Sequence, residues 1–249
     1  MIYFYSGTPG SGKSLHVAAD ILDILRNRHN VIANFPVNLP KSLQKRVQRR
    51  EKGKFYYVDN SKLTVKYLYA FAREHHSMGR ENQTTLIIDE CAIMFNAREW
   101  DKNGRTAWLD FFRQHRKLGF NVILVAQNDR MIDRQIRANF EYNVVHRKMN
   151  NFGNIGFIFT LLHIPFFVAV TRWYGVNEVC GRKWFFYQRR FAKIYDTYQI
   201  FDELPATEAG RGAEAPGVPA SAAGDRRKAR QVRQVCDLLG YRIKQLESA

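Results

Sequence analysis

Residues 7–14 read Gly7-Thr8-Pro9-Gly10-Ser11-Gly12-Lys13-Ser14, the G-x-x-x-x-G-K-[ST] pattern of a phosphate-binding loop. Few segments restrict a fold so sharply, because such a loop works only between a strand and a helix. Both neighbours are in place. Met1–Ser6 is a short aromatic and aliphatic run, and Lys13–Arg28 carries Leu15, Ala18, Ala19, Leu22 and Leu25 at helical spacing. The glycines let the backbone curl so that its N–H groups point inward at phosphate oxygens, and the positive end of the helix adds to that field. Gly7, Thr8, Pro9, Gly10, Ser11 and Gly12 are therefore expected to cradle the phosphates of a nucleotide. Lys13 would reach the β- and γ-phosphates, and the Ser14 hydroxyl would ligate Mg2+.

Beyond the loop, strand-like and helical patterns alternate through residues 1–150. Val31–Val37, Phe55–Val58, Thr84–Glu90, Asn121–Gln127 and Tyr142–Arg147 read as strands; Leu63–His76, Arg105–Leu118 and Ile132–Phe140 read as helices. This order implies an α/β core with a mostly parallel sheet covered on both faces. Residues 151–204 are expected to form a β-rich extension of the same domain, with Phe166–Tyr174 and Lys183–Phe191 pairing across Gly175–Gly181. Residues 205–228, rich in Ala, Gly, Pro and Ser, read as a flexible linker. An amphipathic helix is expected over 229–249, where Val232, Cys236, Leu239, Ile243 and Leu246 form a short apolar seam. That helix reads either as a solvated tail or as a docking element.

The second chemical signal is Leu86-Ile87-Ile88-Asp89-Glu90. An apolar strand would deliver Asp89 to the C-terminal edge of the sheet, beside the phosphates, where it can hold Mg2+ through water. Glu90 can polarise an attacking water as a general base; it can also cap the next helix or pair with an arginine. Gln127 closes the apolar run Val122–Ala126 and reads as a contact to the γ-phosphate or the attacking water, or as an amide capping a turn. Arg98, Arg105, Arg113, Arg116, Arg130, Arg134 and Arg137 form a pool from which an arginine meeting developing charge could come.

The chain of 249 residues holds 39 Lys+Arg against 23 Asp+Glu, a net charge of +16, which points to a polyanionic partner. Residues 205–249 hold eight Lys/Arg and five Asp/Glu, so the excess lies chiefly before them. Its densest run is Lys41, Lys45, Arg46, Arg49, Arg50, Lys52 and Lys54, which reads as a DNA-facing loop or as a solvated face. Cys91, Cys180 and Cys236 lie too far apart in sequence for a Cys-x-x-Cys site, and the start lacks the basic region of a signal peptide. Met149–Thr171 carries no charged residue, but its continuous apolar part, Ile155–Val170, falls short of the ~20 residues of a membrane helix. Buried strands are the favoured reading there.

The opening Met-Ile-Tyr-Phe-Tyr-Ser-Gly-Thr-Pro-Gly-Ser-Gly-Lys-Ser, Leu86–Glu90, Phe111-Phe112-Arg113-Gln114-His115-Arg116-Lys117-Leu118-Gly119 and Val125-Ala126-Gln127 together resemble the N-terminal domain of the zonular occludens toxin (Zot) family. Its best-known relatives are the gene I assembly proteins of filamentous phages. The resemblance covers about residues 1–200 and includes Tyr195-Asp196-Thr197. It implies a RecA-like P-loop ATPase of the additional-strand catalytic-glutamate type, near the FtsK/HerA motors, using ATP and Mg2+. It also implies a ring-shaped homo-oligomer that drives phage assembly and export, or DNA movement, with DNA and inner-membrane phage assembly proteins as partners. The expected location is cytoplasmic, peripheral to or anchored in the bacterial inner membrane. Gly7–Ser14, Asp89, Glu90 and Gln127 inherit the ATPase roles by position. The region linked with toxin activity in the name-giving member has no counterpart, so toxin function is not expected. Two other readings stay open at this point: a small-molecule kinase, which the loop spacing also fits, and a scaffold that uses nucleotide only to order a membrane assembly.

Overall fold

The computed structural model describes residues 1–49, 53–77, 79–96, 104–151 and 165–195. The expected linker and C-terminal helix lie outside the described residues, as do Arg98 and most of the uncharged stretch after Met149.

The chain alternates strands and helices: β1 (Ile2–Ser6), α1 (Lys13–Arg26), β2 (Asn30–Ala33), α2 (Lys41–Gln48), β3 (Phe55–Tyr57), α3 (Val65–His75), β4 (Thr84–Ile88), α4 (Arg105–Gln114), β5 (Phe120–Val125), α5 (Arg134–Arg137), β6 (Tyr142–Lys148), β7 (Phe166–Trp173), β8 (Val179–Phe186) and α6 (Arg189–Ala192). The strands form one sheet in the order β3-β2-β4-β5-β1-β6-β7-β8. Pairings from β3 to β6 are parallel, whereas β6–β7 and β7–β8 are antiparallel. β5 therefore intervenes between the strand that leads into the phosphate loop and the strand that ends at Asp89.

Side chains alternate across the sheet, and both sides are buried, which is why the central strands read as unbroken apolar runs. Ile2, Phe4, Leu86, Ile88, Val122 and Leu124 face a core with Leu68 and Phe71 of α3 and Trp108, Phe111 and Phe112 of α4. Tyr5, Ile87, Ile123, Val125 and Val144 face the other core with Val17, Ala18, Ile21, Leu22 and Leu25 of α1.

Several boundaries depart from the sequence expectation. β2 stops at Ala33, short of the expected Val37; the missing part contains Pro36, which has no N–H for a ladder, and the Asn34 side chain binds the Asp89 backbone. The helix expected over Ile132–Phe140 shrinks to Arg134–Arg137, started by Asp133, whose carboxylate accepts from the Gln135 N–H at 2.8 Å. β8 begins at Val179 rather than Lys183. The hairpin turn is tighter than expected, with Asn177 left-handed (φ 61°) and its N–H donating to the Trp173 carbonyl. Arg189–Phe191, the end of the strand expected over Lys183–Phe191, fall instead in the short helix α6. In the basic run, Lys41 and Lys45 lie exposed on α2, and Lys54 is exposed just before β3. Of the uncharged stretch, Phe166–Thr171 belongs to β7. No helix among the described residues is long and apolar enough to cross a membrane.

Candidate active site

The C-terminal ends of β1, β4 and β5 converge on the loop between β1 and α1. Two of its glycines are required by geometry. A Cβ on Gly7 (φ 145°) would lie 2.6 Å from the His146 carbonyl oxygen, so a larger residue cannot pass β6. A Cβ on Gly12 (φ 93°) would lie 2.9 Å from the Phe167 ring. Gly12 caps α1, and the first intrahelical bond runs from the His16 N–H to the Gly12 carbonyl at 3.0 Å. The backbone N–H groups just before His16 are thus the donor end of a 14-residue helix. The Ser11 hydroxyl is buried in the loop with no hydrogen-bond partner among the described residues. Lys13 folds back over the loop, its Nζ donating to the carbonyls of Gly7 (2.7 Å) and Thr8 (3.3 Å). Curled backbone, an orphaned hydroxyl and a cation held only by carbonyls together fit an anion of phosphate type.

Asp89 sits just past β4 and is fixed from several directions. Its N–H donates to Asn34 Oδ1 (2.7 Å), and its carbonyl accepts from Asn34 Nδ2 (2.9 Å). Its carboxylate accepts from the Tyr195 hydroxyl and, at 2.8 Å, from the Glu90 N–H. Tyr195 also lies near the Ser14 hydroxyl, so Ser14 and Asp89 flank the same phenol. A hydroxyl and a carboxylate beside the loop suit Mg2+, a hard cation that keeps most of its waters. Burial pushes Asp89 upward, opposed by the Tyr195 and Glu90 hydrogen bonds and the Lys13 charge.

Glu90 has φ 45°, a left-handed backbone that costs a non-glycine residue ~1–2 kcal/mol. The turn is held by the Glu90 N–H to Asp89, by the Ile93 N–H to the Glu90 carbonyl (2.9 Å), and by the Cys91 N–H to the Val125 carbonyl (3.0 Å). Partial desolvation, then the Asp89 charge, raise Glu90 above its ordinary value, while Lys13 lowers it. Lys13 is lowered by burial and raised by Glu90 and Asp89. The three groups therefore share one field.

Gln127 lies past β5 with its side chain exposed, and its carbonyl accepts from the Gly7 N–H at 3.3 Å. The backbone after β5 is thereby tied to the first glycine of the loop. Four of the arginines meet carboxylates of the same chain: Arg105 with Asp133, Arg113 with Asp110, Arg116 with Glu141 and Arg137 with Asp129. Arg130 and Arg134 are exposed beyond Gln127.

Three features escaped the sequence reading. Asn34 braces Asp89; a polar residue ending the strand beside β4 was the available signal. Tyr195 reaches Asp89 from 106 residues away. Behind the loop, His16 Nδ1 and His146 Nε2 are 2.8 Å apart, and both rings are buried. His146 Nδ1 faces the Ser6 carbonyl (3.1 Å), which can only accept. His146 is therefore the Nδ1–H tautomer, and His16 must donate to it from its own Nδ1. Burial lowers both imidazoles to about 3. His16 Nε2 faces Asp20 (3.6 Å), which also binds the Tyr5 hydroxyl (2.8 Å) and Lys183 (3.3 Å).

The family model for zonular occludens toxin (Zot) matches residues 1–198. The chain belongs to the Zot family. Among curated relatives of this Zot chain, the gene 1 protein of Enterobacteria phage f1 is 27% identical over 211 residues, covering 80% of this chain and 60% of that protein. The gene 1 protein of Enterobacteria phage I2-2 is 29% identical, covering 80% of this chain and 57% of that protein. The Zot chain thus spans about three fifths of the length of these phage relatives. Among solved structures, the ATPase domain of G40P aligns with a TM-score of 0.50 and 10% identity, covering 78% of this chain and 83% of that one. The shared fold is that of a P-loop NTPase, with the interposed β5 of the additional-strand type.

Proposed function

We propose that this Zot-family chain binds ATP with Mg2+ and hydrolyses it, and that turnover drives assembly and export of a filamentous phage or translocation of its DNA. The observation that carries the reading is the convergence of Lys13, Asp89 and Glu90 in one electrostatic field at the ends of β1 and β4.

The backbone N–H groups of the loop and of the start of α1 bind the phosphates. Lys13 exchanges the Gly7 and Thr8 carbonyls for phosphate oxygens. Ser14 and Asp89 would hold Mg2+, which would supply the positive charge that offsets the phosphates. Glu90, raised so that its carboxylate is a better base, accepts the proton of the attacking water, a role worth ~10²–10⁴ in rate. Gln127, exposed beside the loop, orients that water. The described residues up to Tyr195 act as one catalytic body. The active form is a homo-oligomeric ring at the cytoplasmic face of the inner membrane, with Arg130 and Arg134 as candidates for the contact to a neighbouring site. The positive excess serves DNA or the anionic membrane surface.

ATP turnover measured with and without DNA, alongside the mass of the oligomer, tests this function. DNA-stimulated turnover by a multi-subunit species is expected. A monomer whose turnover ignores DNA contradicts the motor, and ATP binding without turnover returns the scaffold reading.

A further inference from the structure

A cavity of about 810 Å³ opens beside the phosphate loop, and its lining joins two chemistries. One part is the loop itself, Gly10–Ser14. The other part, the aromatic end, is Leu15, Phe167 of β7, then Tyr187, Phe191 and Ala192 from the segment that follows β8. That segment is anchored. The Asn38 N–H donates to the Ile194 carbonyl at 2.9 Å, the Tyr187 N–H donates to the Pro165 carbonyl at 3.0 Å, and Ile194 and Tyr195 are buried in the core that α1 shares.

We propose that the aromatic end of this cavity is the base-and-ribose subsite of the bound nucleotide, an aromatic slot that holds a purine by stacking without reading its edge. The inference rests on the phosphate-site reading above, because anchoring the triphosphate at the loop is what leaves the base facing the aromatic end.

The three rings have different duties. Phe167 is the floor. It is buried, pressed against Gly12 and stacked on Phe185 at 5.5 Å, so it cannot swing away. Phe191 carries the Arg190 guanidinium on its ring at 4.6 Å while still lining the cavity. Tyr187 is 47% exposed, a large aromatic surface left to water at the mouth of a cavity. Stacking of a base on such a ring is worth ~1–3 kcal/mol by alanine substitution and accepts any base, because every base has a π-face. Around the aromatic end, the described lining side chains include no amide and no carboxylate. The polar groups there are the Tyr187 and Tyr195 hydroxyls and the Lys193 ammonium, and the Tyr195 hydroxyl is engaged by Asp89. A site that discriminates strongly needs buried polar groups matched to the substrate's own donors and acceptors. Among the described residues the slot offers none, so ATP and GTP should bind within about tenfold of each other.

The test is calorimetric binding of ATP, GTP and inorganic tripolyphosphate, each with Mg2+, to the full chain and to Tyr187→Ala, Phe191→Ala and Tyr187→Phe. Expected are ATP affinities about 5- to 100-fold weaker in the two alanine variants, tripolyphosphate affinity within twofold of the parent, and near-complete recovery in Tyr187→Phe. Equal losses for ATP and tripolyphosphate overturn the slot but leave the phosphate site standing. So does an unchanged ATP affinity in both alanine variants. A preference for ATP over GTP beyond a hundredfold overturns the edge-blind part. Failure of both ATP and tripolyphosphate to bind the parent chain overturns the phosphate-site reading itself, and the slot with it.

Discussion

The parallel half of the sheet and its antiparallel wing are built on different terms. Every residue of β4 is buried, as are the last four of β5, because helices cover both faces. In β8, five of eight residues are exposed, Trp184 among them. The chemistry sits on loops that leave the buried strands, where backbone positions are over-determined. The wing holds no group assigned to the reaction, yet it touches the site from behind: Phe167 against Gly12, and Lys183 through Asp20 to His16. A buried half thus carries the groups proposed to react, and a wetter half borders the loop and one wall of its cavity.

Breaking the buried half at its charge should have the largest effect. Lys13→Ala is expected to weaken nucleotide binding about 10- to 100-fold, the worth of a charge-assisted contact, and to abolish turnover; binding and rate assays on the purified variant check both. Next in size is Leu86→Ala, a fully buried truncation expected to cost ~2–5 kcal/mol in urea unfolding. Gly12→Ala tests the seam between the halves. The added methyl meets the Phe167 ring on a left-handed backbone, so ~1–3 kcal/mol of stability and a measurable part of nucleotide affinity should be lost together. Trp184→Ala on the wing, stacked on Phe166 but half exposed, should cost only about 1 kcal/mol and leave turnover unchanged.

The histidine pair at the seam gives a pH signature. His16 and His146 are neutral in the folded chain, with values near 3, whereas the unfolded chain protonates them around 6.5. The unfolded state therefore binds more protons below pH 6.5. The pair's contribution to stability is full above that pH and is lost as pH falls towards about 3. Burial shifts Asp20 the opposite way, and Lys183 and Tyr5 restrain that shift. A urea midpoint that falls from pH 7 to pH 5 is expected; a flat profile over that interval contradicts the buried neutral pair.

Local patterns carried much of the core. Gly7–Ser14 announced the loop because its geometry needs glycines and a lysine at fixed offsets, and Leu86–Glu90 announced the neighbouring strand because a buried parallel strand must be continuously apolar. Pairings over long separations left no such trace. Nothing local ties Tyr195 to Asp89, Asn34 to the Asp89 backbone, or His16 to His146, since each partner alone reads as an ordinary polar or aromatic residue. The wing was legible as strands but not in register. Its boundaries follow from the hairpin turn at Asn177 and from pairing with β7, neither of which hydropathy encodes.

In the proposed reaction Glu90 takes the proton of the water that attacks ATP. The most direct measurement is steady-state turnover and nucleotide affinity of Glu90→Gln beside the parent chain. Because the amide keeps the shape but cannot take a proton, turnover should fall by ~10²–10⁴ while ATP affinity stays within a few-fold. Parent-like turnover in Glu90→Gln would contradict the account.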